Sequence, residues 1–231
     1  MHVIRNGMLL AVTALAAGSG IQAQSVQITG FTTGCFFTTA ACSPATSSVF
    51  QTATLASGTS SLVYRNSLFN GVTVNGFLGI GATPTATGQN ADNLGSFTLN
   101  PSSSGAANYA GNNFNLLVTF TNPSLAAGSN TLFTAAIMGS VDGIDHGGLF
   151  IDFDNTPRVY AFTTGNGQSG TLTFAVNDVS IISGGTVPVT GNVSAVSVST
   201  VPEPMTMTLL ATGLVGMGAT QLRRRRKVIS S

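Results

Sequence analysis

Charged side chains are scarce in this sequence, and tryptophan is absent. Only 6% of the 231 residues are charged, whereas soluble domains average about a quarter. Disorder does not explain this composition, because disordered chains are usually rich in charge and poor in β-branched residues, and Val, Ile, Thr and Phe are common here. The composition therefore predicts a folded, β-rich domain of the extracellular kind, with a surface of Thr, Ser and Gly.

Basic residues are nearly missing from the body of the chain. Between Gln24 and Val201 there are two cations, Arg65 and Arg158, against six Asp residues, so that this part carries a net charge of −4. Proteins that bind nucleic acids need clustered Lys or Arg side chains to neutralise phosphates. The body lacks this pattern, which argues against nucleic acid as a partner.

The first 23 residues have the three parts of a secretory signal peptide. Arg5 supplies a positive start, residues 8–17 form an uncharged apolar run, and small and polar residues follow up to Ala23. This order is typical of signal peptides, and the run is too short to cross a bilayer comfortably. We expect a signal helix at residues 1–23, export by the general secretory machinery, and cleavage by signal peptidase between Ala23 and Gln24. The alternative is a buried N-terminal helix.

A second targeting pattern lies in residues 202–227. Pro202 and Pro204 flank Glu203 and disfavour helix in the residues before them. The uncharged run 205–222 follows, and as a helix it extends about 27 Å, just enough for the hydrocarbon core of a bilayer. A basic cluster comes next, and such clusters stay on the cytoplasmic side and stop transfer. The cluster consists of Arg223, Arg224, Arg225, Arg226 and Lys227. We therefore expect a single transmembrane helix at 205–222, with the body outside.

The order of Pro202-Glu203-Pro204, a short apolar span and a terminal Arg cluster resembles the PEP-CTERM sorting signal of Gram-negative bacteria. The resemblance implies that exosortase, a membrane-embedded cysteine protease, recognises the signal and cleaves near it. The helix would then anchor the body only transiently in the inner membrane, before transfer to the cell surface or the extracellular matrix. The resemblance also implies a link to exopolysaccharide and biofilm. The Met-Thr-Met-Thr run at 205–208 departs from the more Leu- and Ala-rich span of the family. The alternative is a stiff linker above a permanent anchor.

Between these ends, short apolar runs are separated by Gly, Pro, Asn and Ser. Period-2 alternation is typical of half-buried strands, and many short strands at this spacing predict an all-β fold, a β-sandwich of short antiparallel strands over residues 24–184. Residues 185–201 are either a last strand or a stalk. The body is loosely similar to the choice-of-anchor domains found with the same sorting signal. The predicted strands are 26–29, 52–55, 61–65, 72–76, 95–99, 115–121, 130–138, 148–153, 158–163, 170–176, 179–182 and 193–198.

Two strands are expected to supply much of the core. Alternate residues of a strand point to the same face, and in both strands one face is entirely apolar. The predicted core residues are Phe114, Leu116, Val118 and Phe120 in one strand, and Leu172, Phe174 and Val176 in the other.

The two cysteines, Cys35 and Cys42, lie in the run CFFTTAAC. An even number of cysteines in an exported chain favours a disulfide, and a small loop of this kind adds about 2–3 kcal/mol of stability. The redox motif CxxC is absent, and no further metal ligands lie nearby in the sequence. We expect a disulfide that staples an edge or a loop, with free thiols as the alternative.

One polar cluster lies in residues 141–155, and it has three interpretations. In a strand, Asp152 and Asp154 share one face, about 7 Å apart. The first interpretation is a solvated strand face. The second is a Ca²⁺ site completed by loop carbonyls, and the third is the pair of carboxylates of a glycoside hydrolase. The weak candidate calcium ligands are Asp142, Asp145, Asp152 and Asp154. We favour the solvated face, because charges at a strand edge limit aggregation and the EF-hand spacing is absent.

Catalytic motifs are missing from the sequence. There is no nucleophile elbow, P-loop or HExxH motif, and the run GFLGIG at 76–81 lacks the strand and helix context of a dinucleotide-binding loop. We therefore expect no enzyme activity and no cofactor. The chain is interpreted as an exported cell-surface or extracellular-matrix protein with a structural or interaction role, in contact with polysaccharide or matrix proteins. The alternatives are a calcium-assisted carbohydrate-binding module and, less favoured, a secreted hydrolase.

Overall fold

The part of the chain that the structure describes contains strands, joined by turns and loops, and no helix. The computed structural model describes residues 25–142 and 146–199. The all-β prediction is confirmed for these residues. The strands are β1 (Gln27–Phe37), β2 (Thr52–Ser57), β3 (Ser60–Arg65), β4 (Ser67–Val72), β5 (Leu78–Ile80), β6 (Asn90–Ala91), β7 (Ser96–Asn100), β8 (Ala106–Asn108), β9 (Asn112–Asn122), β10 (Ser124–Leu125), β11 (Asn130–Asp142), β12 (His146–Phe153), β13 (Arg158–Thr163), β14 (Ser169–Val176), β15 (Val179–Ile182), β16 (Thr186–Pro188) and β17 (Gly191–Val198).

These strands form three sheets. The largest has eight strands, in the order β15-β12-β11-β9-β1-β4-β6 with β8 beside β11. A five-stranded sheet has the order β10-β13-β14-β17-β5, and a four-stranded sheet the order β16-β7-β3-β2. Neighbouring strands are antiparallel except for the short pair of β4 and β6. The predicted antiparallel pairing therefore holds for nearly every pair of described strands.

One hydrophobic core connects the eight-stranded sheet with the two smaller sheets. Phe114 of β9 packs against Phe97 of β7, with ring centroids 5.0 Å apart, and so reaches the four-stranded sheet. Phe120, on the same strand, packs against Phe174 of β14 at 5.3 Å and so reaches the five-stranded sheet. Aromatic side chains fill the space between sheets packed face to face. This arrangement agrees with the predicted β-sandwich.

The two predicted core strips are buried. In both strands one face carries bulky apolar side chains, and this face is turned to the opposing sheet, as period-2 alternation requires. Each of these side chains is at most 1% exposed: Phe114, Leu116, Val118 and Phe120 of β9, and Leu172, Phe174 and Val176 of β14.

The first strand is much longer than the predicted strand 26–29. β1 lies between β4 and β9 at its start, over residues 27–31. Around Cys35 it pairs with β9 alone, and Cys42 lies in the segment without strand that follows, so the stapled region is a strand border and a loop, as expected. Gly30 and Gly34 interrupt the apolar alternation in the sequence. A Cβ atom at Gly30 would collide with the ring of Phe69, and one at Gly34 with the ring of Phe114. The two glycines therefore let aromatic rings pack directly on this strand.

The predicted strand 72–76 is largely wrong, because the turn chemistry of Asn75-Gly76 prevails over the alternation of the valines. β4 ends at Val72. Asn75 and Gly76 then adopt φ values of 52° and 77°, the left-handed conformation of a tight hairpin turn. Val74 and Phe77 exchange two backbone hydrogen bonds across this turn, of 2.8 and 3.1 Å.

Residues 186–198 form strands and no stalk. β16 pairs with β7, and β17 pairs with both β14 and β5. The register of β17 shifts at a bulge against β14, where Ala195 has a φ of 51°. A bulge places one extra residue in a strand and re-aims the following side chains. Val193, Val196 and Val198 are all buried as a result, although the first two are three positions apart.

The two expected helices lie outside the described residues. They are the signal helix at 1–23 and the transmembrane helix at 205–222, so both stay predictions. None of the described residues forms a helix that could span a bilayer.

Candidate functional site

The targeting residues also lie outside the described part of the chain. Asp145, one of the four candidate calcium ligands, does so as well. The targeting residues are Ala23 and Gln24 at the predicted cleavage site, Pro202, Glu203 and Pro204 of the sorting motif, and Arg223, Arg224, Arg225, Arg226 and Lys227 of the basic cluster.

The predicted disulfide between Cys35 and Cys42 is formed, with the two Cα atoms 6.3 Å apart. Cys35 lies opposite Asn115 of β9, so the bond ties the second half of β1 to the segment that follows it. The Asn115 amide donates a hydrogen bond of 2.8 Å to the Cys42 carbonyl, and the Thr33 hydroxyl donates to the carbonyl of Ala45. Thr33 and Asn115 are almost fully buried. The segment after β1 therefore covers the outer face of β1 and β9.

Removing the disulfide with the double substitution Cys35→Ser and Cys42→Ser is expected to lower the free energy of unfolding by about 2–3 kcal/mol, because the bond restricts the unfolded chain. Urea unfolding of the mature protein, followed by circular dichroism, measures this loss. Wild-type protein unfolded in the presence of dithiothreitol is the control and should give the same lower value. If both free energies equal that of the oxidised wild type, the hydrogen bonds alone hold the segment.

Among the described candidate calcium ligands, Asp142 lies far from Asp152. Asp142, at the end of β11, pairs with His146 at the start of β12, whereas Asp152 pairs with Ala136. The two pairs lie six residue positions apart along the hairpin, which is about 20 Å in extended chain. Asp142 therefore cannot share a calcium ion with Asp152. Within residues 25–142 and 146–199, no group of three or more His, Cys, Asp and Glu side chains is placed to hold a metal ion.

Asp154 and Asp178 hold the end of β12 with their carboxylates. Asp154 accepts the backbone N–H of Thr156 at 3.1 Å and pairs with Arg158 at 3.2 Å. These hydrogen bonds, first from Thr156 and then from Arg158, hold the pKa of Asp154 below its ordinary value. Asp178 accepts the backbone N–H of Phe153 at 2.9 Å. Asp152 and Asp154 are both exposed, which fits the favoured interpretation of a solvated strand face, and Asp154 lies just beyond the last residue of β12.

An open cleft of about 570 Å³ lies on the outer face of the five-stranded sheet, beside the edge strand β5. Phe77, Gly79 and Gly81 alternate along the chain on this outer face, while Ile80 is buried in the core. Asn192 of β17 lies directly opposite Gly79. Because Gly79 has no side chain, the sheet surface between Phe77 and Asn192 is open down to the backbone.

Polar side chains border this cleft. Oδ1 of Asp92 accepts the backbone N–H of Asn70 at 3.1 Å, which fixes the carboxylate. Asn177 donates its side-chain amide to the hydroxyl of Thr190 at 2.9 Å, and its backbone N–H to the Thr190 carbonyl at 2.9 Å. Among the described residues that line the cleft there is no Lys, Arg or His. The cleft therefore offers a fixed carboxylate, amides and one exposed aromatic ring.

The sequence pattern does not predict this cleft, although one signal for it exists. The run GFLGIG at 76–81 does not fit a dinucleotide-binding loop, but its glycines at alternate positions beside an aromatic residue leave one face of a strand open. The other lining residues lie around positions 92, 177 and 190–192. The pairing of β5 with β17 places Gly79 opposite Asn192. Backbone hydrogen bonds from Ala82 to Asp92 and from Asn177 to Thr190 bring in the other two segments.

No protein-family model, curated protein or solved structure matches this chain. The proposals that follow rest on the residues of the chain and on their geometry.

Proposed function

We propose that this chain is an exported protein of the cell surface or extracellular matrix, sorted through its C-terminal signal. The observation that carries the proposal is the order of Pro202-Glu203-Pro204, the uncharged run 205–222 and the basic cluster 223–227. An isolated Pro-Glu-Pro has little specificity, whereas the three parts in this order resemble the PEP-CTERM signal. Signal peptidase and exosortase are then the enzymes that process the chain, and the inner membrane holds it only transiently.

The disulfide supports export. Disulfides persist in oxidising compartments and are rare in the cytosol. The bond between Cys35 and Cys42 is the one disulfide in the sequence, which has two cysteines. It secures a segment without regular secondary structure over the sheet, which suits a protein that works outside the cell.

The body fits a structural or interaction role in the matrix. Its described surface is rich in Thr, Ser and Asn side chains and poor in charge, and a surface of this composition can exchange hydrogen bonds with polyhydroxylated polymers. Of the candidate carboxylate pair, Asp154 is engaged in local bonds with Thr156 and Arg158, and this favours an interaction protein over a hydrolase with paired carboxylates.

Replacing Glu203 with Ala is expected to block processing, so that full-length precursor accumulates in the inner membrane of the native host. The physical reason is that exosortase would read the acidic side chain held between two prolines, whose fixed φ keeps the motif extended. Immunoblots of fractionated cells and the intact mass of the purified protein measure the outcome. The matched control is Thr206→Ala, which alters the chain just beyond the motif and should be processed as wild type.

Processing of Glu203→Ala at the wild-type rate would reduce Pro-Glu-Pro to a linker. A wild-type mass that retains residues 205–231 would contradict sorting by cleavage and leave a permanently anchored surface protein. A wild-type mass that retains residues 1–23 would contradict signal-peptide removal.

A further inference from the structure

We propose that the cleft beside β5 binds a segment of a neutral polysaccharide, with Phe77 as the stacking surface and Asp92, Asn177 and Asn192 as hydrogen-bonding groups. This inference rests on the proposed function, because export to the extracellular matrix is what would bring the protein into contact with polysaccharide. It assigns the contact to one defined surface, away from the Asp residues of the β11–β12 hairpin.

The shape of the cleft suits a polymer chain. Its volume is about 570 Å³, and it is wide open to solvent. A Cβ atom on Gly79 would have no neighbour nearer than the Phe77 ring at 3.8 Å, so nothing fills the space in front of this residue. Glycine commonly occurs where a ligand approaches the backbone closely. A sugar unit can therefore lie on the strand itself, between Phe77 and Asn192.

Phe77 supplies the apolar half of the recognition. Its side chain is 54% exposed, although the chain has a large core available for aromatic rings. Single exposed apolar residues are common on proteins, so its exposure alone assigns nothing. Here the exposed ring adjoins a carboxylate and two amides in one cleft. Burying a ring face against the C–H face of a sugar removes apolar surface from water, while the neighbouring polar groups meet the hydroxyls.

The polar groups offer both donors and acceptors to hydroxyl groups. Oδ1 of Asp92 is held by Asn70, and Oδ2 accepts no hydrogen bond from the described residues. Asn177 has its amide donor directed to Thr190, which holds the side chain while Oδ1 stays available as an acceptor. Asn192 makes no side-chain hydrogen bond within the described part of the chain and adds an amide donor and a carbonyl acceptor. Hydrogen bonds to a charged carboxylate are among the stronger ones.

Other ligand classes fit this lining less well. Phosphate and sulfate groups need cationic or clustered N–H donors, and the described lining residues include no cationic side chain. A calcium ion needs six or more oxygen ligands, and Asp92 is the single carboxylate among them. A drug-like molecule needs an enclosed, mainly apolar pocket. A neutral polyhydroxylated chain matches the charge, the polarity and the open shape together.

The test uses the mature protein purified from its native host. The probes are short neutral oligosaccharides, prepared by partial acid hydrolysis of the exopolysaccharide of that host, and binding is measured by isothermal titration calorimetry. We expect wild-type protein to bind, and Phe77→Ala and Asp92→Asn each to weaken the affinity by about tenfold. Val74→Ala is the matched control, because Val74 lies on the same hairpin and is 69% exposed, yet does not line the cleft. Thermal unfolding verifies that all variants are folded.

Each outcome decides one point. Loss of affinity in Phe77→Ala and Asp92→Asn, with Val74→Ala equal to wild type, supports the proposal. Absence of binding by wild-type protein overturns it, as does binding confined to acidic fragments. Equal affinities of wild type and both cleft variants place the contact on another surface and also overturn it. The intact mass of the same preparation reports export and sorting, so the failure of the cleft and the failure of the proposed function are distinguishable.

Discussion

Replacing Phe114 with Ala is expected to lower the free energy of unfolding by about 3–5 kcal/mol, the range for large-to-small changes of buried aromatic residues. Phe114 is fully buried. Its ring centroid lies 4.9 Å from that of Phe36, 4.8 Å from Tyr64 and 5.0 Å from Phe97. These rings come from two sheets, so the substitution leaves a cavity where the sheets meet. Urea unfolding of the mature protein measures the loss.

Phe150→Ala is the matched control. Phe150 is also a phenylalanine in the eight-stranded sheet, but it is 38% exposed, and we expect a loss of no more than about 1 kcal/mol. An equal loss in both variants would contradict the central place of Phe114 in the core. A changed slope of free energy against urea would indicate an altered unfolded or native state.

A second large effect is expected at Gly95, where Gly95→Ala should cost about 3–5 kcal/mol. The backbone there has a φ of 105°, which strains any residue with a Cβ atom. In addition, the new Cβ atom would collide with the ring and hydroxyl of Tyr64. The Tyr64 hydroxyl donates a hydrogen bond of 2.9 Å to the Leu94 carbonyl and shares a second hydrogen bond of 2.9 Å with the Thr32 hydroxyl, and a displaced ring loses both. Overpacking of a tight site adds to the backbone strain.

The matched control separates the two causes. Gly128 has a φ of 97°, and a Cβ atom there would meet nothing within 4 Å. Gly128→Ala should therefore show only the backbone strain, about 1–2 kcal/mol. The difference between the two variants, measured by thermal and urea unfolding, is the cost of the collision with Tyr64. Equal losses would mean that the Tyr64 ring moves aside without cost.

Local alternation predicts many strands well. The predicted strands 158–163 and 179–182 have the bounds of β13 and β15, whose side chains alternate between a more buried and a more exposed face. β8 and β10, of three and two residues, are too short to carry a period and are not predicted. β1 is predicted far too short, because Gly30 and Gly34 look like strand breakers until Phe69 and Phe114 are seen to occupy the space beside them.

The candidate sites also divide into those with a local signal in the sequence and those that depend on contacts between distant segments. With two cysteines seven positions apart, a disulfide within the chain has one possible pairing, and composition suffices to predict it. The Asp residues of 142–154 are close in sequence, yet the hairpin sets Asp142 apart from Asp152. In contrast, Phe77 and Asn192 are distant in sequence and lie in one cleft. Proximity along the chain is a poor guide once strands extend each residue by about 3.4 Å.

Three features could be predicted from the sequence alone: the all-β character, the residues that face the core in β9 and β14, and the pairing of the cysteines. These features depend on the period of the side chains or on composition, and both are present within short stretches of chain. The folded structure was needed to see that β1 extends to Phe37 and begins between β4 and β9. It was also needed to see that the segment after β1 covers the outer face of the sheet and that β5, β17 and Asp92 border an open cleft. These features depend on which distant surfaces fill one another without voids or collisions, and packing between remote segments leaves no local pattern in the sequence.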